Sequence, residues 1–119
     1  MKVYLVCPVT NCSLDVKTQM DAYVADLESR GYDVHYPPRD VCQDADRSVE
    51  YICETHVEAM LDCDEVHVWW DPNSKGSHFD LGMAYMLNQY GPLKFVLANE
   101  YAETPHRSYG NLLRNLARK

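Results

Sequence analysis

The 119-residue sequence predicts an α/β protein with a parallel sheet of four or five strands. Apolar runs of strand length alternate with longer segments in which apolar residues recur at helical spacing, in the order βαβαβαβα. This alternation favours a parallel sheet that is covered by helices on both faces and joined by right-handed crossovers. No internal repeat or linker interrupts the pattern, so residues 1–119 are expected to form one domain.

The first half of the chain contains two predicted strands and one helix. Val3–Val6 is apolar throughout, as expected of a buried parallel strand. After a loop at Pro8–Ser13, a helix is predicted from apolar residues at helical spacing: Val16, Met20, Tyr23, Val24 and Leu27. Gly31 is expected to end this helix, and Tyr32–Tyr36 is predicted as the second strand.

The middle of the chain is predicted to continue the alternation. Pro37 and Pro38 stop the second strand, and Arg39–Asp46 is expected to be a polar, mobile loop. The second helix is predicted from one apolar stripe: Val49, Ile52, Cys53, His56, Val57, Met60 and Leu61. Glu65–Trp70 is the third predicted strand.

The last part of the chain contains two more helices and a strand. The third predicted helix, Ser77–Tyr90, is apolar on most of its circumference, which indicates cover on more than one side. Gly91 and Pro92 break it, and Lys94–Ala98 is the fourth predicted strand. A final helix is predicted from four residues: Tyr109, Leu112, Leu113 and Leu116.

The composition argues against several classes of partner. Eighteen acidic side chains against eleven basic ones give a formal net charge of −7 at pH 7. Nucleic acids and anionic membranes attract basic surfaces, so neither is expected as a partner. No apolar run approaches the roughly 20 residues of a membrane span, and no signal peptide is recognised. Five cysteines without a C-x-x-C pair are typical of free thiols in a reducing compartment, so we expect a cytoplasmic protein.

The junction after the third strand is the most informative segment. It runs from Asp71 to Met83 with the sequence DPNSKGSHFDLGM. In a parallel α/β sheet such a junction lies at the carboxyl edge of the strands, where ligands bind. Ser77–Asp80 has the spacing of a capping box, in which Asp80 lies in the first turn and bonds back to its own helix. Alternatively, Asp80 is an ionised carboxylate, stabilised by the helix dipole, that attacks an electrophilic carbon.

Four residues around Asp80 have both an ordinary and a functional interpretation. Asp71 fits a simple Asp-Pro-Asn turn. Ser74, Gly76 and Ser77 fit either a turn or a helix start that offers hydroxyls and amides to a phosphate. The residue types alone do not decide between these interpretations.

Tyr4 and His56 lie on faces that are predicted to be buried. Each is most simply a core residue. The functional alternative places the Tyr4 hydroxyl beside the carboxylate of Asp80. The spacing of Cys53, His56 and Cys63 does not match a zinc site, so no metal is expected.

Three segments carry a recognisable combination of residues: VYLVCP at Val3–Pro8, MLDCDEVHV at Met60–Val68 and SKGSHFDLGMA at Ser74–Ala84. Together they resemble the nucleoside 2-deoxyribosyltransferase family, including its relatives that hydrolyse 2-deoxynucleoside 5-monophosphates. The resemblance implies a flavodoxin-like, three-layer fold and assembly as a homo-oligomer, a dimer or higher. It implies no metal or redox cofactor.

The resemblance also implies roles for individual residues. Gly76–Gly82 matches the family pattern G-x-x-x-E-L-G, with Asp80 in the position of the nucleophilic Glu and one methylene shorter. Tyr4 matches a first-strand Tyr that orients the nucleophile. Ser74 falls where the monophosphate hydrolases carry a Ser that meets the phosphate.

His56 and the first loop also depart from the family pattern. His56 stands where the family has an Asp that contacts the substrate, and a histidine is a residue type suited to protonating the departing base. Cys7 and Pro8 open the first loop, which lacks the glycine of the hydrolase branch.

The sequence therefore predicts an enzyme that cleaves the N-glycosidic bond of a nucleoside or nucleotide, or transfers its 2-deoxyribosyl group. Asp80, Tyr4 and His56 are the expected catalytic residues. Substrate contacts are expected from six residues: Cys7, Pro8, Asp71, Ser74, Gly76 and Ser77. A different class, a non-catalytic nucleotide sensor or interaction module on the same fold, is the main alternative. A regulator using a flavin or a phosphoaspartate is a third.

Overall fold

The computed structural model describes residues 1–10, 12–41, 48–105 and 107–118. Four strands lie within these ranges: β1 (Lys2–Val6), β2 (Asp33–His35), β3 (Glu65–Val68) and β4 (Lys94–Leu97). The helices there are α1 (Leu14–Ser29), α2 (Pro37–Asp40), α3 (Val49–Leu61), α4 (Lys75–Tyr90) and α5 (Tyr109–Ala117).

The four strands form one parallel sheet in the order β2-β1-β3-β4. In this register Tyr4 of β1 aligns with His35 of β2 and with Val66 of β3. The carboxyl ends of β1, β2 and β3 therefore meet at one edge of the sheet. The segments that follow these strands face the same space, which is where ligands bind in parallel α/β sheets.

Each face of the sheet carries its own apolar core. On one face, Tyr4 packs in a cluster with Met60 of α3 and Leu81 of α4. On the opposite face, Leu5 packs with Met20 of α1. Because neighbouring residues of β1 point to opposite faces, Tyr4 and Leu5 serve the two cores separately. The result is the predicted three-layer α/β fold with a parallel sheet.

The chain after β2 differs from the prediction. Pro37 begins the short helix α2, where we expected a strand stop followed by the polar loop Arg39–Asp46. Proline suits the first position of a helix, because its fixed φ fits and its missing N–H is not needed there. Asp40 accepts a 2.8 Å hydrogen bond from the amide of Tyr36 and so closes this turn. The remainder of the expected loop, residues 42–46, lies outside the described residues.

Two general expectations bear on the surface and the thiols. None of the helices in the described ranges is both long and apolar enough to cross a membrane. The four cysteines in those ranges, Cys7, Cys12, Cys53 and Cys63, are free thiols. Cys42 lies outside the described residues.

Candidate functional site

The junction between β3 and α4 is built by Asp71 and Ser74. The Asp71 carboxylate accepts a 2.9 Å bond from the amide of Asn73, and its carbonyl accepts a 3.1 Å bond from the amide of Ser74. The Ser74 hydroxyl then accepts a 3.2 Å bond from the amide of Ser77. Ser74 is therefore the N-cap of α4, which begins at Lys75.

This cap excludes the capping box over Ser77–Asp80, which was one of the two interpretations of Asp80 that the sequence left open. Both Ser74 and Ser77 are suitable cap residues, but the Asp71 turn closes on Ser74 first. Asp80 consequently lies in the second turn of α4 instead of the first. Its side chain points towards the sheet and does not return to its own backbone.

Asp80 accepts hydrogen bonds from two other elements. The Tyr4 hydroxyl of β1 donates to Oδ2 at 2.9 Å, and Nδ1 of His56 on α3 lies 3.0 Å from Oδ1. Asp80 is only 4% exposed and Tyr4 is fully buried. Each oxygen of a carboxylate offers about two acceptor positions, so each keeps one that is unused.

The surroundings of Tyr4 keep its hydroxyl protonated. Burial raises the pKa of Tyr4 far above its ordinary value, and the charge of Asp80 and its hydrogen bond raise it further. Tyr4 therefore remains a hydrogen-bond donor to Asp80 throughout the physiological pH range.

His56 is held between Asp80 and Tyr4. Its ring meets the ring of Tyr4 edge-on, with centroids 5.9 Å apart and an interplanar angle of 74°. The contact with Asp80 requires a hydrogen on Nδ1, which is an assignment from the hydrogen-bond network. Nε2 is buried and has no hydrogen-bond partner within the described residues.

A pocket of about 350 Å³ opens in front of this carboxylate. Its lining comes from the β1 loop, the start of α2, α3 and the β3–α4 junction: Cys7, Val9, Thr10, Pro37, His56, Asp71, Asn73, Ser74, Lys75, Gly76 and Asp80. A volume of this size lies in the range of small-molecule sites. Lys75 and Gly76 occupy the first two positions of α4, where backbone amides have no partner inside the helix.

The structure brings together seven of the predicted site residues. Six of them line the pocket: Cys7, His56, Asp71, Ser74, Gly76 and Asp80. Tyr4 reaches the pocket through its bond to Asp80. Pro8 and Ser77 are both buried and are not among the lining residues.

The sequence interpretation missed five lining residues: Val9, Thr10, Pro37, Asn73 and Lys75. One rule would have found Pro37 and Thr10, because the segments after neighbouring parallel strands share one edge of the sheet. Lys75 and Asn73 are sequence neighbours of Ser74.

Cys7 forms an inert part of the pocket wall. Burial raises the pKa of its thiol well above the ordinary value, and the nearby charge of Asp80 raises it further. The reactive form of cysteine is the thiolate, which this environment suppresses. Cys7 therefore supplies shape at the site and no nucleophile.

Comparison with known proteins shows the fold class. No protein-family model and no curated protein matches the chain. Its structure is, however, similar to solved members of the three-layer α/β class to which the sequence pointed.

One is the CMP N-glycosidase BcmB of Clostridium botulinum, with a TM-score of 0.57, 19% identity, and coverage of 98% of this chain and 83% of that one. Another is a 2-deoxyribosyltransferase of Bacillus psychrosaccharolyticus, with a TM-score of 0.61, 19% identity, and coverage of 87% and 77%. At the level of the fold, these similarities confirm the resemblance to the nucleoside 2-deoxyribosyltransferase family.

Proposed function

We propose that the protein cleaves the N-glycosidic bond of a nucleotide or nucleoside, or transfers its sugar to a second base, with Asp80 as the nucleophile. The observation that carries the proposal is the Asp80 carboxylate, held by Tyr4 and His56 and facing a pocket of nucleotide-compatible size. The names of the two similar structures, a CMP N-glycosidase and a 2-deoxyribosyltransferase, support the same class of reaction.

The reaction is a double displacement. An oxygen of Asp80 attacks C1 of the sugar through its unused lone pair, and the base leaves with the electrons of the glycosidic bond. This step forms an ester between Asp80 and C1. Water or a second base then attacks C1 from the opposite side and releases Asp80, so that configuration is retained.

The start of α4 is the proposed binding place for a 5-phosphate. Ser74, Lys75 and Gly76 line the pocket at this helix start. Together they carry a hydroxyl, an ammonium group and two backbone amides without partners inside the helix. Helix starts attract anions because their free amides and the helix dipole point the same way. We therefore expect a nucleoside monophosphate to bind better than the matching nucleoside.

The direct test is to measure the release of free base by chromatography. Wild-type protein is incubated with CMP, with 2-deoxycytidine monophosphate and with the four deoxynucleosides. The matched control is Asp80→Asn, which keeps the size of the side chain and removes the nucleophile. We expect base release that is lost in Asp80→Asn; release that persists in this variant would contradict the assignment of Asp80.

A non-catalytic nucleotide-binding module is the second candidate. The observation that favours it is the short nucleophile, because Asp80 lies deeper than a Glu would and is only 4% exposed. In that case CMP would raise the melting temperature without any base release. The same shift in Asp80→Asn would strengthen this candidate.

We also propose that the protein forms a homo-oligomer through the outer face of α4. Phe79, Met86 and Tyr90 are exposed on this helix, Met86 by 65% and Tyr90 by 88%. Beyond Lys75 the helix has one charged side chain, Asp80, and that is buried. A continuous uncharged, apolar helix face indicates a protein contact.

Light scattering after gel filtration tests this assembly. Met86→Glu is expected to lower the molar mass towards that of the monomer. Leu14→Glu is the matched control, since Leu14 is exposed by 82% on α1. A wild-type monomer, or equal effects of both variants, would contradict the role of α4.

The four described free thiols fit a reducing, cytoplasmic compartment.

A further inference from the structure

His56 contacts the proposed nucleophile through one ring nitrogen, and its other ring nitrogen is buried. Nδ1 is engaged by Oδ1 of Asp80 at 3.0 Å. Nε2 is a buried atom without a hydrogen-bond partner among the described residues. His56 is also the single described side chain of α3 that lines the pocket, so its role there is set by this geometry.

This arrangement disagrees with proton transfer from His56 to the departing base. A general acid must bring a proton-bearing atom within about 2.6–3.2 Å of the atom that it protonates. The hydrogen on Nδ1 points at Asp80, and Nε2 is a buried atom with no hydrogen-bond partner among the described residues. Donation from Nδ1 would break the contact with Asp80, and donation from the buried Nε2 would require the ring to move until that atom reaches the pocket.

The same arrangement fits a role in orienting the short side chain of Asp80. Tyr4 holds Oδ2 from the sheet, while His56 holds Oδ1 from the neighbouring helix. One donor alone would leave the carboxylate free to rotate about its bond to Cβ. Two donors from two different elements fix its plane and leave a lone pair on each oxygen.

We infer that His56 is a positioning residue for Asp80 and not the acid of the reaction. The inference rests on the proposed function for its kinetic consequences, while the hydrogen bond itself can be tested without turnover. The groups that face His56 are Asp80 of α4, Tyr4 of β1 and His35 of β2, which stacks on Tyr4 at 5.1 Å.

The kinetic test compares two leaving groups. Cytosine needs a proton to depart easily, whereas the base of 7-methylguanosine monophosphate departs neutral without one. For a positioning residue, His56→Ala lowers kcat by the same factor with both substrates, about tenfold to a hundredfold, with little change in KM. A loss confined to CMP would overturn the inference and restore the acid role.

Two amide variants sharpen this test. The amide nitrogen of His56→Asn falls near the position of Nδ1 and can still donate to Asp80. The amide of His56→Gln falls near Nε2 and cannot. We expect kcat to recover substantially in His56→Asn and not in His56→Gln; recovery in His56→Gln alone would contradict the inference. Equal unfolding free energies of the two variants exclude a folding explanation.

A spectroscopic measurement separates this inference from the proposed function. In ¹⁵N NMR of imidazole groups, the resonance lost in His56→Asn identifies His56. We expect its Nδ1 to carry a hydrogen that exchanges slowly, and this signal to move in Asp80→Ala. A hydrogen on Nε2 alone would overturn the positioning role even in an active enzyme. An inactive protein with the expected signal would instead overturn only the proposed function.

Discussion

The hydroxyl of Tyr4 lies 2.9 Å from Oδ2 of Asp80, although the two residues are 76 positions apart in the chain. This bond joins the central strand β1 to the helix that follows β3. It places the carboxylate at the carboxyl edge of the sheet, where ligands bind in parallel α/β proteins. The bond therefore connects the fold directly with the proposed chemistry.

Replacing Tyr4 with Phe is expected to affect stability and turnover together. Oδ2 of a buried carboxylate loses its donor, which costs about 1–3 kcal/mol of unfolding free energy. A less well aimed carboxylate is expected to lower kcat about tenfold to a hundredfold. Urea unfolding and base-release kinetics measure the two effects.

Tyr23→Phe is the matched control for this substitution. The Tyr23 hydroxyl lies 2.6 Å from Nδ1 of His67 on the opposite face of the sheet, away from the pocket. We expect it to change stability and to leave kcat as in the wild type. Equal losses of kcat in both tyrosine variants would show that the kinetic effect is merely structural.

Lengthening Asp80 to Glu is expected to lower activity, although the family pattern has Glu at this position. The extra methylene moves the carboxylate by about 1.5 Å. Tyr4 and His56 already contact the shorter side chain at 2.9 and 3.0 Å, so this shift disrupts both contacts. Overpacking of this kind costs about 1–3 kcal/mol. Thermal melting and kcat are the measurements, and a more active Asp80→Glu enzyme would show that the pocket accommodates the longer side chain.

Ser74 has two proposed roles that two substitutions separate. Ser74→Ala removes the N-cap of α4, which costs about 1 kcal/mol, and weakens phosphate binding. Ser74→Asp keeps a cap but places a negative charge beside the phosphate. We expect KM for CMP to rise at least about tenfold in Ser74→Asp, because electrostatic repulsion of about 1.4 kcal/mol has that effect, while KM for cytidine stays unchanged.

Ser48→Ala provides the control for capping alone. Ser48 caps α3 by accepting a 3.1 Å bond from the amide of Tyr51. Its removal is expected to cost similar stability and to leave the KM ratio of CMP to cytidine unchanged. A similar change of this ratio in Ser48→Ala would remove the support for a phosphate site at α4.

Alkaline pH is expected to destabilise the protein through buried thiols. An unfolded Cys7 ionises near pH 9.0, whereas burial holds the pKa of the native thiol well above that value. Above pH 9 the unfolded chain therefore releases a proton that the native state retains. The contribution of such a thiol to the free energy of unfolding is fully present below pH 9. Above pH 9 the free energy of unfolding falls by about 1.4 kcal/mol per pH unit.

Denaturant unfolding between pH 8 and 11 measures this slope. Cys7→Ala is expected to make the decline shallower. Cys63, whose pKa is raised by burial to about 11, is half-buried and contributes a smaller share. An unchanged slope in Cys7→Ala would mean that this thiol ionises in the native state as easily as in the unfolded one.

Two glycines in helices should respond oppositely to alanine. A Cβ at Gly82 of α4 meets no atom within 4 Å, whereas one at Gly110 of α5 would overlap the ring of Tyr101. Gly82→Ala is expected to stabilise the isolated monomer by about 1 kcal/mol through helix propensity. Gly110→Ala is expected to destabilise it by about 1–3 kcal/mol. Urea melts at low protein concentration check both signs.

The fold and the place of the site follow from the sequence because they depend on periodicity. The alternation of strands and helices located the carboxyl edge of the sheet, and Asp80, Ser74 and Cys7 all lie there. Periodicity does not decide which of two serines caps a helix. The hydrogen bonds that close the turn at Asp71 set the start of α4 and so select Ser74 over Ser77.

The direct contact between Asp80 and α3 could not be predicted from periodicity either, although His56 was among the expected catalytic residues. His56 lies 24 positions before Asp80, and its contact depends on how α3 packs beside α4. On an apolar stripe, a histidine facing a core and a histidine facing a carboxylate have the same spacing. Only the packing of the two helices separates these alternatives.

The carboxylate site draws its parts from β1, α3 and α4, and β1 is sandwiched between β2 and β3. β1 is synthesised before β3 and can find this second neighbour only after about sixty further residues have emerged. Such long-range pairing is slow compared with helix formation. Reappearance of the His56–Asp80 contact during refolding would therefore report arrival of the native topology, well after helical content has recovered.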